Sequence, residues 1–529
     1  MVAMQQFSFD FNDPVFDIAG WRLSAQVITF ENTYGLPASG IERDGDATEV
    51  RAQSLTWAGG QRTVDGTASL RATATDDGIE VVVEASMPRR IRCTKLIVSE
   101  LPDGELLGHR WARERVTRGG TVVHYPNTTH TALVFLALDG GEYIYFESLD
   151  GRVREKRFAV MRRDDGIAAE LIHEDAASEM SGATRTPPWR IGRTRDPASI
   201  VRDHDAHTAA AFGIEPWATR ADVPAWAREI SLVVALHGMH WSGRIFNTYD
   251  DVRAALEQIA GRIEGRRVLA FLPGWEGRYY WQYGDYRPEP MLGGADGFAR
   301  LAASARALGV HVMPMFGANC VNTGLSGYAE WGAPAEMRSP AGLVFQGNRP
   351  DWDVSRARDP GWQAWLNPGA PPWRARLVEQ VSALVAAYEL PAVFFDTHHV
   401  WINDPRHDLY GGLVALRDEL KQRFPELLVA GEGWYDALGA ITPMSQAGLP
   451  AAWPETFAAS NRHWLHLSAG DPSRGSTGVH ELGYSPFQLA PDERHVIPTL
   501  TIVDGTLARG AEGVEQVIEQ AKAYARRWL

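Results

Sequence analysis

The feature that most constrains this chain is a change of apolar rhythm near Pro224. Beyond it, unbroken apolar runs alternate with amphipathic stretches, the pattern of parallel strands buried on both faces and covered by helices. Ile230 to Leu236, Arg267 to Pro273, Val310 to Gly317, Pro391 to Thr397 and Leu427 to Gly433 are five such runs, each read with a helix after it; the fifth helix is read in YDALGAITPMSQAG. The segments LPAAWPE, RHWLHLS and HVIPTLTIVDG are expected to supply strands six to eight, and VEQVIEQAKAYARRWL a closing helix. About 300 residues with eight units predict a (β/α)8 TIM barrel, with an open doubly wound sheet as the alternative.

Before Pro224 the rhythm is different. Runs such as GTASLRATAT, GIEVVVEAS and EYIYFES are short, alternating and rich in β-branched and aromatic residues, and DGD, DDG and DGGE turns separate them. That is the signature of an antiparallel β-sandwich. The expected organisation is therefore a β-sandwich domain over 1–190, a helical connector over 191–224 and a catalytic (β/α)8 barrel over 225–529.

Charge excludes more than it proposes. A net charge of −14 argues against a protein that grips nucleic-acid phosphates or an anionic membrane. Only Lys95, Lys156, Lys421 and Lys522 among the 52 basic residues are lysine, a bias we attribute to a GC-rich, bacterial genome. Cys93 and Cys320 offer neither a metal spacing nor a disulfide framework, and no leader or 18-residue apolar run is evident. A cytoplasmic protein is expected, without cofactor or metal; a homo-oligomer is left open.

In a TIM barrel the chemistry sits at the C-terminal ends of the strands. Here those ends read His237-Gly-Met-His240-Trp241, Gly274-Trp275-Glu276, Asn319, Asp396-Thr-His398-His399 and Glu432-Gly-Trp434-Tyr435. Asp396 and Glu432 end successive strands, and neighbouring strands lie roughly 4.8 Å apart. Two carboxylates across one cavity suit a retaining glycosidase: one attacks the anomeric carbon, while the other protonates the leaving oxygen and later deprotonates water. Asp396 is the candidate nucleophile and Glu432 the candidate acid/base. The bland alternative is a helix cap or an arginine partner for each.

The stretches FLPGWEGRYYWQYGDYRPEPMLGGADGFARLAASARALGVHVMPMFGAN, WLNPGAPPWRARLVEQVSALVAAYELPAVFFDTHH and LLVAGEGWYDAL resemble barrel glycoside hydrolases acting on α-linked sugars. The likeness is to the endo-α-N-acetylgalactosaminidase-like group and, more distantly, to the α-amylase superfamily. It implies an Asp nucleophile ending strand four and a Glu acid/base ending strand five, which match Asp396 and Glu432, and it covers roughly Ile230 to Asp436. The chain is far shorter than the multidomain endo-enzymes and carries no export signal, so their substrate and location do not transfer.

There are 19 Trp in 529 residues, and tryptophan suits flat amphipathic partners such as sugar rings. RYYWQYGDYRP packs Tyr279, Tyr280, Trp281, Tyr283 and Tyr286 into one loop, read as a stacking wall in preference to a satellite core. The expected substrate contacts are His240, Trp241, Trp275, Glu276, Tyr280, Trp281, Asp285, Asn319, His398, His399 and Trp434. Trp401 is expected on the same face, and Asp351, Trp352 and Asp353 are weaker candidates from the long insertion after strand three. His237, His240, His398 and His399 raise a metal-dependent hydrolase, but H-x-x-H on a strand end aims the first two rings at different faces. The expected function is a retaining α-glycoside hydrolase with a carbohydrate substrate. The alternatives are a transglycosidase using the same site, a metal-dependent barrel hydrolase and a non-catalytic carbohydrate-binding protein.

Overall fold

The computed structural model describes residues 14–43, 48–57, 62–108, 113–240, 243–278, 281–345, 363–447, 457–465, 493–503, 507 and 511–529. The expectations placed on Trp241, Tyr279, Tyr280, Asp351, Trp352, Asp353 and the LPAAWPE run lie outside these residues.

From Phe16 to Thr194 the chain forms two antiparallel sheets. Strand Gly78–Ser86 shows how they are written: every second side chain is buried, the period-two pattern of a strand with one face on a core. Leu23, Val81, Val83, Leu96, Val98, Phe158 and Trp189 fill the space between the sheets. Trp189 and Phe158 meet edge to face across it, with ring centres 5.7 Å apart. Helix Pro197–Phe212 then lays Ile200 against Leu133, Phe135 and Tyr145 on the outer face of the second sheet. Its start is fixed by Asp196, whose carboxylate accepts from the Ser199 N–H at 3.2 Å, and its end by Gly213 at φ 66°.

After the helix, eight strands form a closed parallel barrel, and Cys320–Asn322 and Gln363–Trp365 form a separate antiparallel pair. The barrel strands are β1 (Leu232–Leu236), β2 (Val268–Leu272), β3 (His311–Gly317), β4 (Ala392–Asp396), β5 (Leu428–Glu432), β6 (Met444–Ala447), β7 (Arg462–Leu465) and β8. β8 runs as Val496–Ile497 and Thr499–Ile502 on either side of Pro498; the first piece pairs with β7 and the second with β1. Phe271, Phe394 and Trp464, from β2, β4 and β7, converge with ring centres 4.5 to 5.9 Å apart. Long helices follow β1 (Tyr249–Ala260), β2 (Gly294–Ala307), β3 (Pro371–Tyr388), β4 (Leu409–Arg423) and β8 (Ala511–Trp528).

One expectation needs correction. The text after β5, expected as a helix, gives a short 3-10 turn, Asp436–Ala440, and then strand β6 at Met444–Ala447. β6 carries Ser445 and Gln446, both buried, so it shows neither alternation nor an apolar run. Its strand character comes from parallel pairing with β5 on one side and β7 on the other.

The sandwich docks on the loops that leave β4 and β5. Asn403 accepts from the Ala177 N–H at 2.7 Å and donates to Glu174 Oε1 at 2.9 Å. Asp436 donates its N–H to the His130 carbonyl at 2.9 Å. The antiparallel domain thus bears on the barrel face from which Asp396 and Glu432 project.

Candidate active site

Parallel register sets the two carboxylates side by side. β4 and β5 pair Phe394 with Ala430 and Phe395 with Gly431, so Asp396 and Glu432 fall on the next rung. Phe394 sits two residues before Asp396, hence on the same side of β4, in the cluster shared with Phe271 and Trp464. The two carboxyls are close enough for each to alter the other's affinity for a proton. Asp396 is 6% exposed, whereas the Glu432 side chain is 19% exposed.

Their surroundings hold protons on the pair. Burial, followed by the neighbouring Glu432 charge, drives Asp396 well above the usual carboxylate range, against the pull of a Tyr283 hydrogen bond. Burial also raises Glu432, while its bonds to Asp396 and to the Thr397 N–H oppose the rise. Two neighbouring buried carboxyls disfavour simultaneous ionisation, and burial beside one another leaves both raised.

Each carboxyl is held by specific donors. The Tyr283 hydroxyl donates to Asp396 Oδ2 at 2.7 Å, and the Thr397 N–H donates to Glu432 Oε2 at 3.0 Å. Thr397 has φ 60°, a left-handed conformation that a β-branched residue adopts at a cost of about 1–3 kcal/mol. Its hydroxyl donates to Asn319 Oδ1 at 2.7 Å, and the Asn319 amide donates to the Val400 carbonyl at 3.2 Å. Asn319 thus braces the turn after Asp396.

The histidines after β4 flank Glu432. His399 Nδ1 lies 3.0 Å from the Glu432 carbonyl, which requires a proton on that nitrogen. His398 Nε2 meets Thr442 Oγ1 at 3.1 Å. Glycines on either side of Glu432 admit the rings: a Cβ on Gly431 would sit 2.3 Å from His398, and one on Gly433 2.4 Å from His399. Burial, then the nearby His399 charge, lowers His398 to about 3, and burial lowers His399 against the attraction of Asp396. Both rings are neutral at ordinary pH.

A third carboxyl stands at the mouth of β2. Glu276 is 1% exposed, and neither of its side-chain oxygens has a hydrogen-bond partner among the described residues. Burial, and then the charges of Asp396 and Glu289, hold it far above the ordinary range. Among the described residues no Lys or Arg forms an ion pair with Asp396, Glu432 or Glu276.

The other expected contacts divide. Trp275 is buried in the barrel wall; its indole N–H donates to the Met315 carbonyl at 2.8 Å and its ring packs on Phe298 and Phe316. Trp434 meets His130 of the sandwich edge to face at 5.7 Å. Trp401 lines a cavity of about 310 Å³ with Phe212, Tyr410, Asn403 and the Arg152–Glu179 pair, at the junction of sandwich and barrel. Trp281 is half-buried beneath the Arg278 guanidinium, and Asp285 pairs loosely with Arg287 at 3.7 Å. His240 is buried beside Phe246 and held at about 4 by burial and by Arg244 and Arg278. Tyr283 belongs to the ring-rich loop, but nothing in the sequence distinguishes it from its neighbours there. Among the described residues no group of three or more His, Cys, Asp or Glu is arranged to hold a metal ion, and no helix is long and apolar enough to cross a membrane.

The fold, a sandwich docked on a parallel barrel, is shared with solved α-glycoside hydrolases. The α-N-acetylgalactosaminidase NagBb of Bifidobacterium bifidum, solved with N-acetylgalactosamine, superposes with a TM-score of 0.66 over 97% of this chain and 93% of that one, at 12% identity. The GH36 α-galactosidase AgaA of Geobacillus stearothermophilus gives 0.53 over 95% and 75%, at 15% identity. The galactosidase domain of the α-galactosidase-sucrose kinase AgaSK gives 0.55 over 97% and 73%, at 14% identity. No protein-family model and no curated protein matches the sequence.

Proposed function

We propose that this protein is a retaining α-glycoside hydrolase. The observation that carries the reading is the Asp396–Glu432 pair, on one rung of adjacent strands, with both carboxyls raised above the ordinary range. Asp396 is the nucleophile. The Tyr283 hydroxyl favours its anion, and its strand anchors it rigidly. Glu432, whose side chain is the more exposed, acts in its protonated form and delivers that proton to the glycosidic oxygen as the bond from Asp396 to the anomeric carbon forms. The Glu432 carboxylate then takes a proton from water, which attacks the anomeric carbon and frees Asp396. The oxocarbenium-like transition state gains from the Asp396 carboxylate, which no Lys or Arg among the described residues pairs with.

Glu276 supports the same reading, because a buried carboxyl with unpartnered oxygens is satisfied by the donating hydroxyls of a sugar. His240, His399, Trp281 and Trp434 are further contacts proposed along the rim. The names of the structural neighbours make α-galactosides and α-N-acetylgalactosaminides the first substrates to try.

The test is a screen of aryl α-glycosides with the wild type, Asp396→Asn and Glu432→Gln, and with NMR of the first sugar released. Turnover of one substrate, an α-anomer as first product and a loss of about a thousandfold or more in Asp396→Asn are expected. Near wild-type turnover in either variant, or a β-anomer, overturns the assignment.

A further inference from the structure

The segment that follows Glu432 is held from outside the barrel. Trp434, Tyr435 and Asp436 lie two to four residues beyond the proposed acid/base, and each meets the sandwich. Trp434 packs on His130, Tyr435 meets Tyr125 edge to face at 6.3 Å, and the Asp436 N–H donates to the His130 carbonyl. The 6%-exposed Asp436 carboxylate accepts from the Tyr125 hydroxyl at 2.7 Å through Oδ1. Its Oδ2 faces His204 Nε2 at 3.7 Å, and His204 Nδ1 in turn lies 2.8 Å from Glu147. Tyr125 belongs to one sheet, Glu147 to the other and His204 to the helix between the domains. Lys156, fully buried in an ion pair with Asp150, backs the Tyr125 ring at 5.7 Å. All three parts of the chain before the barrel therefore converge on one carboxylate.

A fold that needed only to bury the sandwich edge would not require such a junction, since buried charge is costly unless fully paired. The stretch between it and the site is short. Gly433 is pinned to the Gln446 carbonyl at 2.7 Å, leaving only Trp434 and Tyr435 between that anchor and Asp436.

We propose that Tyr125, Asp436 and His204 are positioning residues for Glu432, through which the N-terminal sandwich sets the angle at which the acid/base carboxyl enters the site. This rests on the hydrolase reading above. Loosening the junction displaces the proton donor and leaves the nucleophile on β4 untouched. The defect therefore falls on leaving groups that need a proton and spares those that do not.

The experiment compares 2,4-dinitrophenyl and methyl α-glycosides of the sugar the wild type turns over, in Tyr125→Phe, Asp436→Asn, Glu432→Gln and the control Tyr145→Phe. Tyr145 bonds Asp77 at 2.7 Å within the sandwich, away from Asp436. Tyr125→Phe and Asp436→Asn are expected to lose about tenfold in kcat/KM on the methyl glycoside and less than twofold on the dinitrophenyl one, a fraction of the roughly 10²–10⁴ that acid catalysis supplies. Tyr145→Phe should show no such split. Hydrogen exchange is expected to rise at residues 433–437 in Tyr125→Phe and stay unchanged at 392–396. Equal losses on both substrates, or unchanged exchange at 433–437, overturn the proposal. If Glu432→Gln itself shows no leaving-group dependence, the hydrolase assignment of Glu432 falls and takes this one with it; a failure confined to Tyr125→Phe and Asp436→Asn removes the positioning role alone.

Discussion

The Tyr283 hydroxyl donates a 2.7 Å hydrogen bond to Asp396 Oδ2, so the anion of the proposed nucleophile is stabilised by a residue from the loop after β2. A hydrogen bond to a charged group contributes roughly 1.5–3 kcal/mol. Tyr283→Phe keeps the ring, which fits against Gly317, and removes only the donor. We expect kcat/KM to fall about ten- to a hundredfold. Because the bond lowers the Asp396 pKa, its loss raises that pKa, and the acid limb of the pH–rate profile moves to higher pH. An unmoved limb would separate Tyr283 from Asp396 ionisation.

The raised carboxyls also predict how stability responds to pH. Asp396 and Glu432 both lie above their unfolded values near 4, so the native state favours their protonated forms. That contribution is complete below about pH 4 and is lost as pH rises through the raised values. An amide cannot ionise. Asp396→Asn is therefore expected to match the wild type in Tm near pH 4 and to exceed it by about 2–4 °C at pH 7.5, the direction of a stability–activity trade-off. Thermal scans at the two pH values check this, and an Asn variant less stable at pH 7.5 contradicts it.

Glu276 yields a different signature. Its carboxyl is buried and held in the protonated range, so Gln reproduces its shape and neutrality. Glu276→Gln is expected to match the wild-type Tm near pH 4, to exceed it by a few degrees at pH 7.5 by the same linkage, and to raise KM about tenfold with a smaller change in kcat, as for a lost hydroxyl contact. Steady-state kinetics beside a thermal scan decide it; a large drop in Tm at unchanged KM would make Glu276 a structural residue.

How much of this was legible differs element by element. β1 to β5 are readable because each is an unbroken apolar run, and AVFFD and LVAGE carry their acids at the end in plain text. β6 is not readable, since MSQA becomes a strand only through its two neighbours. Tryptophan composition misleads for a related reason: Trp275 finds its hydrogen-bond partner inside the wall, so the same residue type serves wall and core. The ring-rich loop is visible, but which hydroxyl reaches Asp396 is decided by the packing of Tyr283 against Gly317, and Tyr283 lies 113 residues from the carboxylate it serves. The Tyr125–Asp436 contact spans 311 residues and leaves no local signal.

Gly433 tests the fit around Glu432. It has φ 68°, and a Cβ there would lie 2.4 Å from the His399 ring. Gly433→Ala combines left-handed strain with displacement of His399, at about 1–3 kcal/mol for the backbone. We expect a lower Tm and at least a tenfold loss of kcat, because His399 bonds the Glu432 carbonyl. Gly342→Ala, at φ 83° with nothing within 4 Å of the added Cβ, is the comparison for strain alone, and it should lose stability without losing kcat.

The last prediction concerns His204. Burial lowers its pKa, but Asp436 and Glu147 outweigh burial and hold it at about 10, against an unfolded value near 6.5. A raised histidine contributes stability that is fully present below about pH 6.5 and is lost as pH rises through about 10. Glu147, Asp436 and the nearby Asp205, itself raised to about 7 by burial, are the charges that face the ring. Removing one partner of a buried pair costs roughly 3–5 kcal/mol. His204→Ala should therefore be strongly destabilised at pH 6, and the gap to the wild type should narrow steadily towards pH 10. Denaturant melts across that window test it. A gap of constant size would mean that the ring acts by packing, and a gap that widens with pH would mean that it is buried neutral.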